Sequence, residues 1–458
     1  MAKYQKYAEY KDSGIDWLGE IPRHWDLKPI KYLFEIINGS TPKSGEEAFW
    51  DGEITWITPS DLSKLRSHVI GESIRTITKK GLDSCGTTLV PSDTIILSCR
   101  APIGSLAVTS KEACTNQGCK SLVKKYDLST KFFYYYLSIS TKQLNNLGRG
   151  TTFLELSSDE LGSYALGIPN AEEQVKIANF LDHETAKIDS LIAKQEKLIE
   201  LLKEKRQAVI SHAVTKGLNP DVAMKDSGVE WLGQVPEHWS VAKIKHLSKI
   251  ISKGTTPTTM GGDFVFEGIR FLKAENIGKK PIVNSSPEFF ITENVDAQLA
   301  RSRLQEHDVL VIIAGATTGL SSVLQKELLP ANTNQAVSFI RPKETEYAKW
   351  ISYWLSTHFA QSLIWMGAVQ AAQPNLSMEN LGNIDITLPS VEEIKTTLDF
   401  IDTVLLKIDD LIEKNIKAID FMQERRTALI SSAVTGKIDV RHHASRPSGN
   451  DKKQTEGI

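Results

Sequence analysis

Lys11 to Trp25 reads KDSGIDWLGEIPRHW and Lys225 to Trp239 reads KDSGVEWLGQVPEHW, with ten of fifteen positions identical. A match of that length inside one chain marks a tandem duplication, so whatever one half folds into, the other must fold into as well. The offset between the copies is 214 here and is still 214 where Ile30-Lys31-Tyr32-Leu33 meets Ile244-Lys245-His246-Leu247. It becomes 215 at Gly39/Gly254, Pro42/Pro257 and Asp93/Asp308, then 218 at Thr115-Asn116-Gln117 against Thr333-Asn334-Gln335. From Leu161/Leu381 it is 220, without a gap, through Ala213-Val214-Thr215 against Ala433-Val434-Thr435. Each repeat is therefore a part of about 150 residues that tolerates insertions, followed by a segment of about 46 that does not.

The two parts carry different periodicities. The variable part has short apolar runs broken by Gly and Pro, at Glu53 to Ile57, Thr94 to Leu97 and Ser121 to Val123, echoed at Ile269 to Leu272, Val309 to Ile313 and Val337 to Ile340. These predict strands. Phe132 to Leu137 and Trp350 to Leu355 predict short helices, which makes the class α+β. The locked segment follows Pro169 or Pro389, opens on Glu172-Glu173 or Glu392-Glu393, and ends at Gly217 or Gly436. Inside it Ile177, Leu181, Ile188, Leu191, Leu198, Leu202 and Val209 trace a heptad seam, matched in the second copy by Ile401, Val404, Ile408, Leu411, Met422 and Leu429. Gln195 and Asn415 share one matched seam position, either as register-fixing polar residues or as a surface-facing stutter. A helix of that length, about 69 Å, needs a partner along it, and the other copy is the natural one. The two helices are expected to pair antiparallel as a coiled coil. The expected layout is a globular head over 11–168, a spacer helix over 169–217, a second head over 225–388, a second helix over 389–437 and a polar, disordered tail over 438–458.

Composition removes several function classes. With 41% apolar and 24% charged residues the chain has an ordinary globular make-up, which excludes collagenous, low-complexity and membrane classes. Lys plus Arg number 54 against 56 Asp plus Glu, so no global field draws the chain onto nucleic acid, and a DNA contact has to come from local patches. Met1 to Asp12 lacks the apolar core of a signal peptide, and the run Val309 to Ala314 is far too short to span a bilayer. Cys85, Cys99, Cys114 and Cys119 form no CxxC pair and have no His at metal spacing. The expectation is no zinc, no disulfide and a reducing cytoplasm.

Catalytic motifs fail one by one. Gly315-Ala316-Thr317-Thr318-Gly319 lacks the Lys-Ser/Thr ending and the glycine spacing of a phosphate loop, and its repeat partner Arg100-Ala101-Pro102-Ile103-Gly104 reads as a tight turn after a strand. His183-Glu184 has no second His, and there is no GxSxG, GxGxxG or (Asn/Asp)-Pro-Pro-Tyr run. What remains is loop chemistry suited to bases and phosphates. In the first copy this is Thr41, Lys43, Lys64, Arg66, Arg100, Arg149, Thr151 and Thr152; in the second, Thr256, Lys273, Glu275, Asn276, Lys279, Lys280, Gln370 and Gln373. Trp17, Trp25, Trp231 and Trp239 repeat with their whole neighbourhood, so packing accounts for them better than base stacking, and the twice-used Thr-Asn-Gln triplet reads as a structural turn.

In combination these residues resemble the DNA specificity subunit of type I restriction-modification systems, over Lys11 to about Ile438. The carriers are DSGIDWLGEIPRHW and DSGVEWLGQVPEHW, the Gly turns at Gly39 and Gly254, Ile168-Pro169 and Leu388-Pro389 leading into EEQVKIANFLD and EEIKTTLDFID, and the helix ends KRQAVISHAVTKG and RRTALISSAVTGK. One departure is Ile394, where the first copy has Gln174. The resemblance implies two target recognition domains, each reading one half of a split DNA site, and helices that set the spacing and dock methyltransferase subunits. It also implies double-stranded DNA, two methyltransferase subunits and restriction/motor subunits as partners, with S-adenosylmethionine, ATP and Mg on those partners and no cofactor or catalytic residue in this chain. Divergent heads predict an asymmetric site. A coiled-coil adaptor that reads no sequence is the competing class; it explains the helices but not heads that diverge while the spacer stays locked.

Overall fold

The computed structural model describes residues 4–65, 67–100, 102–148, 154–368 and 375–443. It divides into two compact units, Met1–Gln195 with Lys417–Ile458, and Glu196–Ile416. Each unit holds one head and a portion of both long helices.

In the first unit the head is built on a five-stranded sheet in the order Phe34–Asn38, Cys119–Lys124, Ile95–Ser98, Leu106–Thr109, Val69–Ile70, antiparallel except for the last pair. Its central strand is apolar at successive positions because both faces are covered. Ile95 and Leu97 face a core with Phe132, Phe133 and Tyr136, while Ile96 faces a second cluster with Ile57, Val90 and Cys119. A smaller sheet, Cys114–Thr115, Trp50–Ile57 and Thr76–Ile77, flanks it. The second unit repeats the plan. Its sheet runs Ser248–Lys253, Val337–Pro342, Val309–Ile312, Ser321–Val323, with Val309 and Val311 on one face and Leu310 and Ile312 on the other. Its flanking sheet is Phe290–Ile291, Ile269–Leu272, Ala331–Thr333. All six sequence-predicted strands are present, and the aromatic stretches lie in helices Thr130–Ser138 and Glu346–Leu355.

The repeated DSG…HW segments pack, as their joint recurrence indicated. Trp25 and Trp239 are fully buried, and Trp17 stacks on Tyr164 at 5.7 Å. In the first unit the Glu173 carboxylate, in the opening turn of the helix Ala171–Lys216, accepts from Tyr7 Oη (2.7 Å) and Trp25 Nε1 (3.2 Å) and meets His24 Nε2 (2.8 Å). Burial and this carboxylate push the Tyr7 hydroxyl pKa far above the tyrosine range, so it stays a donor. The second unit keeps the matching pair, His238 to Glu393 at 3.0 Å. The departure at Ile394 is also explained. Gln174 accepts from Ser129 N–H and donates to the Pro169 carbonyl, whereas Ile394 is fully buried among apolar side chains.

The long helices are Ala171–Lys216, of 46 residues, and Val391–Val434, of 44. In the first unit Ile177, Leu181 and Ile188 share a core with Leu429, Ile430, Ala433 and Val434, and Arg426 pairs with Asp189 at 2.8 Å. In the second, Ile210 and Val214 share a core with Ile394, Leu398, Ile401 and Leu405, and Arg206 pairs with Asp409 at 3.3 Å. At the 220 offset Arg206 corresponds to Arg426 and Asp189 to Asp409, so each unit contains the same ion pair with the donor repeat exchanged.

Four seam assignments need correction, one of them Val404, which is half-buried where its neighbour Leu405 is buried on the seam between Ile401 and Ile408. Leu191, Leu198 and Leu411 are 42 to 49% exposed, while Ile192, Ile199 and Ile412 are half-buried in their place. The seam through Ile188, Ile192, Gln195, Ile199 and Leu202 alternates steps of four and three, and a step of three from Ile188 lands one position off it. Ile401 and Ile408 are buried and Met422 packs against the core of the first unit, as assigned. Gln195 and Asn415 are half-buried on the seam; Gln195 Oε1 has no partner among the described residues, and Asn415 Nδ2 donates to the Leu411 carbonyl.

The boundaries at the chain ends also differ from expectation. Tyr4, Tyr7 and Tyr10, before residue 11, and Ile438 and Val440, inside the supposed tail, belong to the core of the first unit. Gln5 bridges Asp439, and the Arg441 guanidinium lies 4.9 Å from the Tyr7 ring centre. The tail from 444 onward lies outside the described residues. No helix among the described residues is long and apolar enough to cross a membrane.

All four cysteines are free, and three are buried. Burial raises the Cys99 and Cys119 thiols and pushes Cys114 up to about 12, so none of these three offers a thiolate near neutrality. Alkylation of the native chain at pH 8 is expected to modify Cys85 alone, and all four cysteines after unfolding. Mass spectrometry of the labelled peptides checks this; fast native labelling of Cys99, Cys114 or Cys119 would contradict the packing described.

Candidate nucleic-acid interface

The turn after the first sheet strand determines where the loops gather. Gly39 follows Asn38, and a Cβ on it would collide with the carbonyl oxygens of Thr115 and Asn116; one on Gly254 would collide with Thr333. Only glycine allows the chain to pass that close to the Thr-Asn-Gln turn. Ser40 N–H then donates to the Thr115 carbonyl (3.0 Å), and Thr255 N–H to Thr333 (3.2 Å). The turn holds its own shape, since Asn116 Oδ1 accepts from Gly118 N–H and Asn334 Oδ1 from Ala336 N–H. The structural reading of this triplet therefore stands, and the turn is the hub of each head.

Other segments converge on the same hub. In the first head Cys99 N–H donates to Gly118, Leu156 N–H to Cys99, and Arg100 bridges Glu155, with their side chains 3.2 Å apart. Asn116 N–H donates to Ile57, just before the helix Pro59–Lys64. In the second head Ile313 N–H donates to Ala336, Leu376 N–H to Ile313, and Ala314 bridges Asn375. Thr333 Oγ1 caps the Leu272 carbonyl, just before Lys273. The Gly315 turn closes with Thr318 N–H to Gly315, both Gly104 and Gly315 having left-handed φ, so it is a turn and not a phosphate loop.

Against this frame the candidate residues separate into three sets. Thr41 and Arg100 stand at the hub of the first head, Thr41 hydrogen-bonding Gln117 through its hydroxyl, and Thr256 stands at the hub of the second. Lys43, Lys279 and Lys280 are exposed on the surrounding loops, Lys64 is exposed at the end of the helix Pro59–Lys64, and Glu275 is exposed in the single 3-10 turn Ala274–Asn276. Lys273 and Asn276 are committed inside the fold. The Lys273 ammonium lies over Phe264 (4.0 Å) and Phe289 (3.5 Å). Asn276 is buried, accepts from Lys273 N–H, and donates to the carbonyls of Asn284 and Pro287, so its amide is used by backbone and is not offered to an adenine. Arg66, Arg149, Thr151, Thr152, Gln370 and Gln373 lie outside the described residues.

Some participants were not legible in advance. Asp61 occupies the position of Asn276 in the first head, accepting from Thr58 N–H, Thr58 Oγ1 and Ile74 N–H. Arg75 lies 3.6 Å over the Trp50 ring, and Lys120 is buried beside Asn38 and Ser158. The repeat alignment flags the Asp61/Asn276 position, but neither it nor composition reveals the Arg75 contact. Among the described residues no group of three or more His, Cys, Asp or Glu is placed to hold a metal ion.

Comparison with known proteins follows the same halves. The family model described as "Type I restriction modification DNA specificity domain" matches residues 22–201 and 236–420. The chain is similar to the specificity subunit of the type I restriction enzyme MjaIX of Methanocaldococcus jannaschii, 30% identical over 300 residues, covering 64% of this chain and 66% of that protein. It is also similar to the EcoBI specificity subunit of Escherichia coli, 26% identical over 345 residues, covering 74% and 72%. Among solved structures, a chain from a study of complex assembly and conformational transition of the type I R-M system has a TM-score of 0.69 at 13% identity. That match covers 90% of this chain and 98% of the other, a likeness of fold.

Replacing Asn276 by Ala removes three backbone-satisfying bonds and is expected to cost about 1–3 kcal/mol of stability. Replacing Lys279 or Lys280 by Ala should stay within about 0.5 kcal/mol. Urea unfolding of the variants, monitored by tryptophan fluorescence, distinguishes the two classes; equal effects would mean that Asn276 is not load-sharing in the fold.

Proposed function

The chain belongs to the type I restriction-modification DNA specificity family, and from that premise we propose that it is the non-catalytic, sequence-specific DNA-binding subunit of such a complex. Each head reads one half of a bipartite, asymmetric site. The long helices pair antiparallel as a coiled coil, fix the distance between the halves and dock two methyltransferase subunits. Restriction/motor subunits complete the assembly in the cytoplasm, and S-adenosylmethionine, ATP and Mg act on the partners.

The observation that carries this reading is that each head arranges its loops around one shared hub and places unlike side chains on them. At the same bridge beside the hub the first head presents Arg100 and the second Ala314, since the strand pairing sets Ser98 level with Ile312 and moves the partner of Arg100 one place back from the Gly315 of the sequence alignment. Arg suits a guanine edge or a phosphate and Ala a thymine methyl, so equivalent positions favour different bases. The antiparallel pairing is supported unit by unit, since each joins the opening of one long helix to the closing turns of the other through the same Arg–Asp pair. An adaptor that reads no sequence would have no use for a fixed hub with changed loops.

The reading is tested by co-expressing the chain with its methyltransferase and mapping methylated adenines by single-molecule sequencing. A split asymmetric motif that disappears without this chain is the expected result, and no motif from an assembled complex would favour the adaptor. Replacing residues 26 to 168 with the matching head of another specificity subunit should change one half of the motif only. Inserting one heptad after Gln195 should alter the gap and leave both halves as they were; changed bases there would refute helices that act only as a spacer.

A further inference from the structure

Each head carries one lysine at the same rung of its main sheet, but the two lysines come from opposite strands. In the first head Lys120, three residues after Gln117, stands opposite Asn38, the residue before Gly39. Lys120 is buried, and its Nζ donates to Asn38 Oδ1 (2.7 Å) and Ser158 Oγ (3.1 Å); Ser158 Oγ donates to Asn38 Oδ1 (2.9 Å). In the second head the matching pair is Lys253, the residue before Gly254, opposite Ser338, three residues after Gln335. Lys253 is half-buried, and the Ser338 hydroxyl turns away to the Ser252 carbonyl (2.8 Å). Neither ammonium is paired with a carboxylate among the described residues.

Keeping a cation partly out of water beside neutral oxygens is unfavourable, and a neutral polar pair would fill the rung at lower cost. The duplication let both residues of the pair change, yet one positive charge remains in each head. What is retained is a charge at a place, independent of the strand that supplies it. The place is directly under the hub, where the loops of each head converge. The missing counter-charge is then external, and in a head that binds DNA the available anion is a backbone phosphate.

We propose that Lys120 and Lys253 supply the positive charge that anchors each hub to one phosphate of the DNA backbone at its half-site, Lys253 by direct contact and the buried Lys120 from beneath Asn38 and Ser158. Such contacts set register without carrying sequence information, leaving base reading to the loops. This rests on the proposed reading of the heads as DNA readers.

The test uses the chain assembled with its methyltransferase subunits, in wild-type form and with Lys120→Gln, Lys253→Gln, or the exchange Asn38→Lys with Lys120→Ser, which copies the second head's arrangement into the first. Binding to a duplex carrying the mapped site and to one with both halves scrambled is measured by fluorescence anisotropy across a salt series. Lys253→Gln is expected to weaken both duplexes alike and to make the slope of log affinity against log salt shallower by about one, with the methylated motif unchanged. The exchange variant should keep the wild-type slope. An unchanged slope in Lys253→Gln overturns the proposal, as does a changed base in either half-site. Loss of co-purifying methyltransferase with the slope intact would overturn it in favour of a protein partner's acid. If Lys120→Gln fails to fold by thermal melting, Lys253→Gln and the exchange variant decide. A wild-type complex without salt-dependent DNA binding removes the functional reading and this proposal together, whereas a normal wild-type slope with unaffected variants removes the proposal alone.

Discussion

Neither long helix buries the whole of its apolar face within its own repeat, and this constraint organises the molecule. In the first unit Ile177, Leu181 and Ile188 share one core with Leu429, Ile430 and Val434 from the other copy; in the second, Ile210 and Val214 share one with Ile394, Leu398 and Ile401. Each such side chain contributes about 1.5–3 kcal/mol on burial. The Arg426–Asp189 and Arg206–Asp409 pairs are partly exposed and contribute at most about 1 kcal/mol each. Burial holds the helices, and the ion pairs mark register. The length lock follows directly. One inserted residue turns a helix by about 100° and carries its apolar stripe off the partner, whereas an insertion in a head loop leaves the sheet intact. The offset can therefore drift from 214 to 220 through the heads and must stay constant through the helices.

The heads solve a different problem, which is to vary a surface without varying its support. Gly39 and Gly254 bring the first strand against the Thr-Asn-Gln turn so closely that no side chain is tolerated there, and both turns close on their own asparagine. The frame uses main-chain bonds, which any loop sequence can supply. Side chains above it are free to diverge, as Arg100 and Ala314 do at one bridge. With a net charge of -2 the chain has no long-range attraction for a polyanion, so affinity for one must be assembled from few, placed cations.

How much was legible in the sequence depended on how many residues carried each signal. Periodicity over many positions located the strands and the two long helices within a few residues. A choice between two neighbours of similar apolarity did not resolve: Leu191 or Ile192 satisfies a local step, and only the alternation extended to Leu202 selects the isoleucine. Asn276 looked like a base reader because its amide chemistry is the same whether it faces solvent or backbone; what decides is the path of residues 284 to 287, far along the chain. The end of the chain looked like tail because Ile438 and Val440 are two apolar residues in a polar stretch, and their burial depends on Tyr4, Tyr7 and Tyr10 from the opposite terminus. Lys120 was silent for the same reason: its partners, Asn38 and Ser158, are distant in sequence.

The duplication also supplies an internal control on what each position is for. At the start of the long helices Gln174 is tied down by hydrogen bonds to Ser129 and Pro169, and its counterpart Ile394 does the same seating by apolar burial. Geometry was kept and chemistry exchanged, which is how a purely structural position behaves. At Asp61 and Asn276 a carboxylate and an amide both satisfy nearby backbone N–H groups, again with the charge dispensable. The rung beside the hub behaves in the opposite way. There the identities and even the strand changed, from Asn38 with Lys120 to Lys253 with Ser338, and the positive charge stayed. A fold that can replace a buried carboxylate by an amide has no need of an uncompensated ammonium for its own stability, so the reason for keeping it lies outside the fold, in what the head binds.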